Sequence, residues 1–452
     1  MIKFLDALGG FGDDHQTGFV DTFWNQLTQP QLSEEDRAFL EKERNRIDEK
    51  YCGGPCRFMN LETVVEQETR AQMHLRNFAF TAGIINRTLV LPNVANSRIG
   101  ACKEYDFEYY YDIQWAKDNA EHFKYITMQE FINWLDERKS HGVPANDQIM
   151  TIHDILLHPN PKPTITEPHC LSEYTVPKSK YDKVMSWDIY SSKIIRTGEN
   201  QLVQFLQGQE KENVNTEVLH ISLNKANPFS HHPLANDPIP YSPQLRTLAD
   251  KTAQSMSPYV AVHWRMETVR RSANLVHCSE HLIDTLQMDP IYKNHTVFLL
   301  TDYPHRFTEE QQLSAINGTA SAEELKEWVV STSDTFRPDK IKSNNHLAIR
   351  YLYTHRPFTL FETMANSTHD HEVNNWTVLP IPIELQKLST NENQTGLYDT
   401  GWVGILDKLM AIRSNHFFAG KSGVCARKST FTKQIMDERS ALSLGNIHYF
   451  GH

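Results

Sequence analysis

Three polar side chains at alternating positions, His263, Arg265 and Glu267, follow a short apolar run in the middle of the chain. The run, residues 259–262, is β-branched and aromatic without a turn residue, which predicts a buried parallel strand. At the carboxyl end of such a strand, residues two apart project together into a crevice. A guanidinium suits a phosphate, an imidazole forms hydrogen bonds and a carboxylate can act as a general base. The spacing predicts a ligand site; the alternative is that these side chains only satisfy neighbouring backbone or face solvent.

A second group of charged residues, Glu66, Glu68 and Arg70, surrounds the start of a predicted helix. A helix N-terminus with an arginine beside it favours anions, so this segment could bind a phosphate or supply a catalytic acid. The alternative is a solvated helix start whose acids suit the helix dipole.

Two further places point to the same chemistry. Asp302 follows another apolar run, residues 297–300, and so is predicted to face the same crevice. Ser429, Thr430 and Phe431 open the last predicted helix, where hydroxyls and backbone N–H groups make a natural pyrophosphate site. Ordinary N-capping is the alternative for these hydroxyls.

The elements around these residues predict an α/β fold. Residues 57–61 and 88–92 are predicted strands, and the acidic stretch 62–69 is a predicted polar loop. Thr69 is predicted to cap the helix between the strands, which makes a βαβ unit. A segment rich in Pro, Asn and His, residues 224–243, predicts a domain boundary. We therefore divide the chain into a helical N-terminal extension (1–50), an N-terminal Rossmann-like domain (51–240) and a C-terminal Rossmann-like domain (241–452).

Composition excludes some classes of protein. The 452 residues carry a formal net charge of -11, which argues against a broad nucleic-acid or anionic-membrane surface. No apolar run reaches the roughly 18 residues that a membrane span needs. The first 20 residues also lack the apolar core of a signal peptide, so any targeting or anchor segment is expected to be absent from this chain.

Cysteines and glycosylation sequons favour a secretory lumen over the cytosol. The six cysteines are an even number, and a Gly-Gly-Pro turn could bring Cys52 and Cys56 within bonding reach. Six N-x-S/T sequons occur, against about four expected by chance. Free cytosolic thiols are the alternative.

No metal is predicted. Cys52 and Cys56 lack a second Cys/His pair with zinc-finger spacing, and the polar stretch at 369–372 is interpreted as a solvated loop. The chain also has no G-x-G-x-x-G, no Walker A and no D-x-D motif. Dinucleotide oxidoreductases, P-loop enzymes and a metal held by paired aspartates are therefore not supported.

Four segments in order resemble the GDP-fucose protein O-fucosyltransferases and the related α1,6-fucosyltransferases. Y-V-A-V-H-W-R at 259–265 resembles their H-x-R motif, and T-D-Y-P at 301–304 is similar to their T-D element. The stretch 416–439 resembles their third motif, a Ser/Thr-Ser/Thr-Phe helix start followed by E-R, and 85–92 is similar to their first helix-to-strand joint. The matches are spread in the family's order over residues 52–441, about six-sevenths of the chain.

The resemblance implies a GT-B-like enzyme with two Rossmann-like domains facing across a crevice, inverting and metal-independent, with GDP-fucose as donor. His263 and Arg265 would hold the diphosphate, and Arg265 would neutralise the leaving GDP. Asp302 would lie near the base or ribose. The phosphates and nucleotide would contact the helix start at Ser429, Thr430 and Phe431.

The chain departs from the family pattern in two places. Met266 stands where several members carry a second basic residue, and Arg70 lies close to where the Asn of a G-x-x-N-Q loop would fall. An inverting transfer needs a base on the acceptor hydroxyl. Glu267 is the first candidate, and Glu66 and Glu68 follow.

The sequence thus predicts a fucosyltransferase of the ER or Golgi lumen that acts on a protein or glycan acceptor. It predicts no nucleic-acid partner and no membrane contact by the chain as given. The alternatives are the same fold with another nucleotide sugar, such as rhamnose, or a catalytically silent carbohydrate-binding protein.

Overall fold

The computed structural model describes residues 33–153, 216–223, 232–267, 271–303, 342–361 and 399–451, with the shorter pieces 170–171, 185–188 and 376–379 and positions 174, 203, 206, 269 and 319. The chain divides into two compact units, one of Met1–Cys56 with Ile132–Ala145 and one of Arg57–Phe131 with Asn146–His452.

Among the described residues, the helices are α1 Glu34–Cys52, α2 Glu68–Ile84, α3 Gln114–Asp118, α4 Met128–Ser140, α5 Pro243–Met256, α6 Asn274–Met288, α7 Pro290–Lys293, α8 Ser343–His355, α9 Thr400–Arg413 and α10 Thr430–Ala441. The strands are β1 Phe58–Val64, β2 Thr88–Val90, β3 Asn93–Ala95, β4 Arg98–Gly100, β5 Tyr125–Ile126, β6 Asp147–His153, β7 Met185–Asp188, β8 Val218–Leu223, β9 Tyr259–Trp264, β10 Thr296–Thr301, β11 Phe358–Phe361, β12 Trp376–Leu379, β13 His416–Gly420 and β14 Ile447–Phe450.

Twelve of the fourteen described strands form two parallel sheets of six strands each. The first sheet has the order β5-β2-β1-β8-β6-β7 and the second the order β12-β11-β10-β9-β13-β14. In the second sheet the chain runs from β9 outward to β12 and then returns to β13 on the other side of β9. This reversal is a topological switch point, where ligands bind in doubly wound folds. The predicted α/β fold is confirmed, and its two large sheets are parallel.

Strand β9 is buried on both faces, as a central strand of a parallel sheet requires. Tyr259 and Ala261 lie in a hydrophobic cluster that also takes residues from the first sheet and from α9. Val260, Val262 and Trp264 lie in a second cluster with α6 and α8. A run of apolar, mostly β-branched and aromatic residues therefore satisfies both faces of one strand.

Most of the predicted elements are confirmed within a residue or two. The βαβ unit is β1, α2 and β2, with β1 and β2 paired in parallel. Ser242 caps α5, and the Ser429 side chain accepts a hydrogen bond from the backbone N–H of Thr432 at the start of α10.

Two predictions about the first βαβ unit are wrong. Helix α2 begins at Glu68, and its N-cap is Gln67 without a side-chain cap, so Thr69 lies inside the first turn. The Thr69 hydroxyl donates to the Glu68 carboxylate instead, at 3.2 Å. Strand β1 also continues through Glu62, which is buried and lies 2.5 Å from the His220 ring. A charged residue in a short segment predicts a loop, because the local sequence does not show that a partner on a distant strand will pair with it.

A short antiparallel hairpin of β3 and β4 was not predicted. Asn96 and Ser97 make its turn with positive φ angles of 49° and 63°, the conformation of a tight hairpin turn. Strand β4 begins with Arg98, whose side chain donates to the Val65 carbonyl shortly before the start of α2.

The smaller unit is organised around the buried Asp48 of α1. Its carboxylate accepts hydrogen bonds from Arg138 at 2.8 Å and from Trp134 at 2.9 Å. A capping box of Ser33 and Asp36 opens α1. Most of the helix is exposed.

All six cysteines are paired. The disulfides join Cys52 to Cys56, Cys102 to Cys170 and Cys278 to Cys425. The first pair confirms the bond suggested by the Gly-Gly-Pro turn. Within the described residues, no helix has the length and apolar character needed to cross a membrane.

Candidate active site

A cleft of about 730 Å³ opens at the switch point of the second sheet. Its lining comes from the exits of β9 and β10, the start of α10, one face of α9 and, from the first sheet's side, the β1–α2 loop and β4. The cleft therefore brings together residues that lie far apart in the sequence.

The exit of β9 sends three side chains into the cleft. His263, Arg265 and Glu267 all line it, whereas Trp264 and Met266 point into the hydrophobic core. The alternation expected from an extended chain is thus maintained past the last residue of the strand.

His263 is a neutral imidazole. Burial lowers its pKa to about 3, and the nearby charge of Arg265 acts in the same direction. Its Nδ1 lies 2.8 Å from the Thr432 hydroxyl, and its ring lies 5.1 Å from the Phe431 ring. The residue therefore joins the β9 exit to the first turn of α10 and can form hydrogen bonds without adding charge.

Glu267 is shared between two guanidinium groups. Its Oε2 lies 3.1 Å from Arg265 Nη2 and 3.6 Å from Arg427 Nη1. The Arg265 Nε is buried and has no hydrogen-bond partner among the described residues. Glu267 thus orients cations on this wall of the cleft, and Arg265 keeps donor capacity for a ligand.

Asp302, at the exit of β10, holds the backbone that follows β9. One carboxylate oxygen accepts from Met266 N at 2.8 Å and the other from Glu267 N at 3.1 Å. Burial raises its pKa to about 6, and these two hydrogen bonds oppose that shift. Asp302 also lines the cleft. Its contact with the base or ribose of the nucleotide stays a prediction.

The N-terminus of α10 opens onto the cleft. Ser429, Thr430 and Phe431 line it, and the Ser429 side chain is used as the N-cap. Free backbone N–H groups of a first turn and the positive end of the helix dipole favour an anion there.

Glu66 lines the cleft from the β1–α2 loop, ahead of α2. Its two oxygens lie 2.5 Å from Arg70 Nη1 and from His74 Nε2. Burial acts to raise the pKa of Glu66, but the hydrogen bonds from His74 and Arg70 outweigh it and hold the pKa below its ordinary value. Glu66 is therefore an ionised carboxylate at neutral pH.

Glu68 lines the cleft but its side chain is fully engaged. One oxygen accepts from the hydroxyls of Tyr111 and Tyr241, each at 3.0 Å. The other oxygen lies 2.8 Å from Lys408 Nζ. Both oxygens are thus committed to buried partners.

Two residues of the cleft were missed by sequence reasoning. Asp407 of α9 lines the cleft, and its side chain makes no hydrogen bond or ion pair with any other residue that the structure describes. It is partly buried, and the loss of hydration raises its pKa well above the ordinary value. An acid within the apolar stretch G-I-L-D-K-L-M was the available signal. Arg427 gave no signal, because it lies in a polar loop.

The polar stretch at 369–372, which the sequence predicts to be a solvated loop, lies outside the described residues. Within the described part of the chain, no three His, Cys, Asp or Glu side chains come together in a way that could hold a metal ion. Metal independence stays a prediction.

An anion-directed cleft at the switch point of a parallel sheet, facing a second parallel sheet, defines an α/β enzyme of the nucleotide-binding class. The sequence model of the family described as GDP-fucose protein O-fucosyltransferase matches residues 70–442. The chain belongs to this family, and the predicted GDP-fucose-dependent fucosyltransferase is confirmed.

Solved structures similar to this chain include POFUT1 in complex with GDP, at 16% identity, 88% coverage of this chain, 99% coverage of that chain and a TM-score of 0.38. POFUT1 in complex with GDP-fucose is 14% identical, with 89% and 99% coverage and the same TM-score of 0.38. Among curated proteins, none matches the chain.

Proposed function

We propose that this fucosyltransferase transfers fucose from GDP-fucose with inversion and without a metal ion, and that the donor lies in the cleft at the β9 switch point. The observation that carries the proposal is the position of Arg265, which reaches the cleft between the β9 exit and the N-terminus of α10. A guanidinium and a helix N-terminus together form a fixed positive site for a diphosphate.

The donor's phosphates are assigned to Arg265, His263 and the first turn of α10. Arg265 neutralises the charge that develops on GDP, a task that metal ions perform in other transferases. Because His263 is neutral, it contributes a hydrogen bond. Phe431 packs against the nucleotide from the same helix start. Arg70 is a further candidate for the phosphates, although it is paired with Glu66.

The guanine base is assigned to Asp407. Guanine presents two adjacent donors, N1–H and the 2-amino group, and a carboxylate accepts both. The carboxylates of Glu66, Glu68, Glu267 and Asp302 already have partners, so Asp407 remains for this contact. Hydrogen bonds from the base would favour the charged form of Asp407 and offset its burial.

Glu66 is the base that the geometry favours. Glu267 is held between two guanidinium groups on the diphosphate side, whereas Glu66 lines the cleft from the β1–α2 loop of the first sheet. In the transfer, the bond between fucose C1 and the β-phosphate oxygen breaks and its electron pair stays with GDP. The acceptor oxygen bonds to C1 from the opposite face, and its proton passes to Glu66.

The acceptor is a hydroxyl of a protein or a glycan. The three disulfides are typical of an oxidising compartment, so we place the enzyme in the ER or Golgi lumen. We keep residue 240 as the boundary between the two Rossmann-like domains, because the described strands of the first sheet end at Leu223 and those of the second begin at Tyr259.

Calorimetric titration with GDP, UDP and ADP, each in EDTA and then in manganese, tests the proposal. We expect micromolar GDP binding that does not depend on manganese. A preference for UDP, or binding only with manganese, would contradict the donor or the metal-free mechanism. Absence of binding to any of the three nucleotides would favour a silent carbohydrate-binding protein.

A further inference from the structure

We propose that Arg427, on the loop between β13 and α10, is a second guanidinium that binds the donor's diphosphate, and that Glu267 holds Arg265 and Arg427 as a pair. The inference rests on the proposed function, because it deepens the assignment of the diphosphate site.

The two arginines meet at one carboxylate oxygen. Glu267 Oε2 lies 3.1 Å from Arg265 Nη2 and 3.6 Å from Arg427 Nη1. The backbone N–H of Arg427 also donates to the Arg265 carbonyl at 3.2 Å. Both side chains line the cleft, so the two positive charges face the same space.

The β9 exit by itself contributes one cation. The residue after Arg265, Met266, is 1% exposed and packs in the core. A leaving nucleoside diphosphate carries more than one negative charge, and one guanidinium with a helix N-terminus neutralises it only in part. Arg427 adds a second guanidinium to the cleft from another segment of the chain.

Arg427 can reach a ligand while it stays paired. Its side chain is 52% exposed, against 22% for Arg265. A half-exposed ion pair at 3.6 Å is weak, so the Arg427 guanidinium can contact a phosphate while it stays near Glu267.

The loop that carries Arg427 is anchored at several points. Cys425 forms a disulfide with Cys278 of α6, and its carbonyl accepts from Trp264 Nε1 at 2.7 Å. The backbone N–H groups of Cys425 and Ala426 both donate to the Lys421 carbonyl, at 2.9 and 3.1 Å. The backbone of Arg427 is therefore positioned before the donor binds, which lowers the entropy cost of the contact.

The test compares a ligand that has phosphates with one that lacks them. We would measure GDP and guanosine binding in EDTA, by competition with a fluorescent GDP derivative, for the wild type, Arg427→Gln and Arg427→Lys. Lys421→Gln is the matched control, because Lys421 is an exposed cation of the same loop that does not line the cleft.

Arg427→Gln should weaken GDP binding about tenfold, the worth of one charge-assisted contact, and should change guanosine binding less than about threefold. Arg427→Lys should fall between Gln and the wild type, and Lys421→Gln should match the wild type. Unchanged GDP binding in Arg427→Gln, or an equal loss for GDP and guanosine, would overturn this inference but would leave the proposed function intact. A wild type that binds no GDP would refute the proposed function itself.

Discussion

Lys408 and Glu68 form a buried ion pair across 340 residues of sequence, with Lys408 Nζ 2.8 Å from Glu68 Oε2. The ammonium also lies 2.9 Å from Gln434 Oε1 of α10 and 5.2 Å from the centre of the Phe431 ring. One side chain thus connects the helix start on the first sheet's side of the cleft with the helix start proposed to bind the phosphates.

Removing one partner of this pair should be costly. Lys408→Met leaves the Glu68 carboxylate buried without its cation, and we expect a loss of about 3–5 kcal/mol in the free energy of unfolding. The double variant Lys408→Met/Glu68→Gln should recover part of that loss, because no buried charge remains. Urea denaturation measures both. A single variant within about 1 kcal/mol of the wild type would show that the pair contributes little.

Arg265→Lys should lower kcat by about 10²–10³-fold, because an ammonium cannot reproduce the planar fork that stabilises charge on the leaving GDP. Thermal melting should change little, since the positive charge beside Glu267 is kept. The measurement is turnover of GDP-fucose at saturating acceptor, with Lys421→Gln as control. Wild-type turnover in Arg265→Lys would rule out the diphosphate assignment.

Glu66→Gln and Glu267→Gln should both reduce turnover, for different reasons. If Glu66 removes the acceptor proton, Glu66→Gln should regain activity with azide, an anionic acceptor that has no proton to lose. Glu267→Gln should not, because its defect lies in the orientation of Arg265. Mass spectrometry detects fucosyl azide, and its formation distinguishes loss of the catalytic base from loss of Arg265 orientation. Rescue of Glu267→Gln instead would make Glu267 the base.

Asp407→Asn should reduce the preference for guanine. We expect the wild type to bind GDP more tightly than inosine diphosphate, which lacks the 2-amino group. In Asp407→Asn, GDP binding should weaken about tenfold and the difference between the two nucleotides should shrink. Calorimetric titration with both nucleotides measures this preference. An unchanged preference in Asp407→Asn would show that the guanine ring does not bind at Asp407.

The stability of the site should depend on pH through two groups that act in opposite directions. His263 has a pKa lowered to about 3, so the unfolded chain binds its proton first and stability is lost as the pH falls below about 6.5. Asp302 has a pKa raised to about 6, so the folded protein binds its proton first and stability is gained as the pH falls through about 6.

His263→Asn should therefore lose less stability than the wild type between pH 7 and 5, by about 2 kcal/mol, and Asp302→Asn should lose more. Urea denaturation at each pH is the measurement. Identical pH profiles in the wild type and His263→Asn would mean that His263 is not held neutral by burial.

The local sequence was enough to predict the elements that bear the site. The apolar run before His263 can only be satisfied by burial on both faces, and Ser429 before an apolar-periodic stretch is a helix N-cap. Alternation then places His263, Arg265 and Glu267 on one side without any tertiary information. The resemblance to the family added the donor.

The first sheet's side of the site was harder to predict. Thr69 looked like a cap because hydroxyl residues usually precede helices, but Gln67 holds that position and the Thr69 hydroxyl bonds to Glu68. Glu62 looked like a loop residue, since its partner His220 lies 158 residues away. In both cases a contact outside the local pattern decided the conformation.

By itself, then, the sequence determined the strand exits, the helix start and the type of chemistry, because these follow from periodicity and capping over a few residues. Only the tertiary structure decided which charged groups are available. The order of strands around β9 brings Arg427 to Glu267 and Lys408 to Glu68, and it leaves Asp407 facing the cleft. Pairing between distant segments has no local signature, so the roles of these residues emerge only when the two sheets are folded.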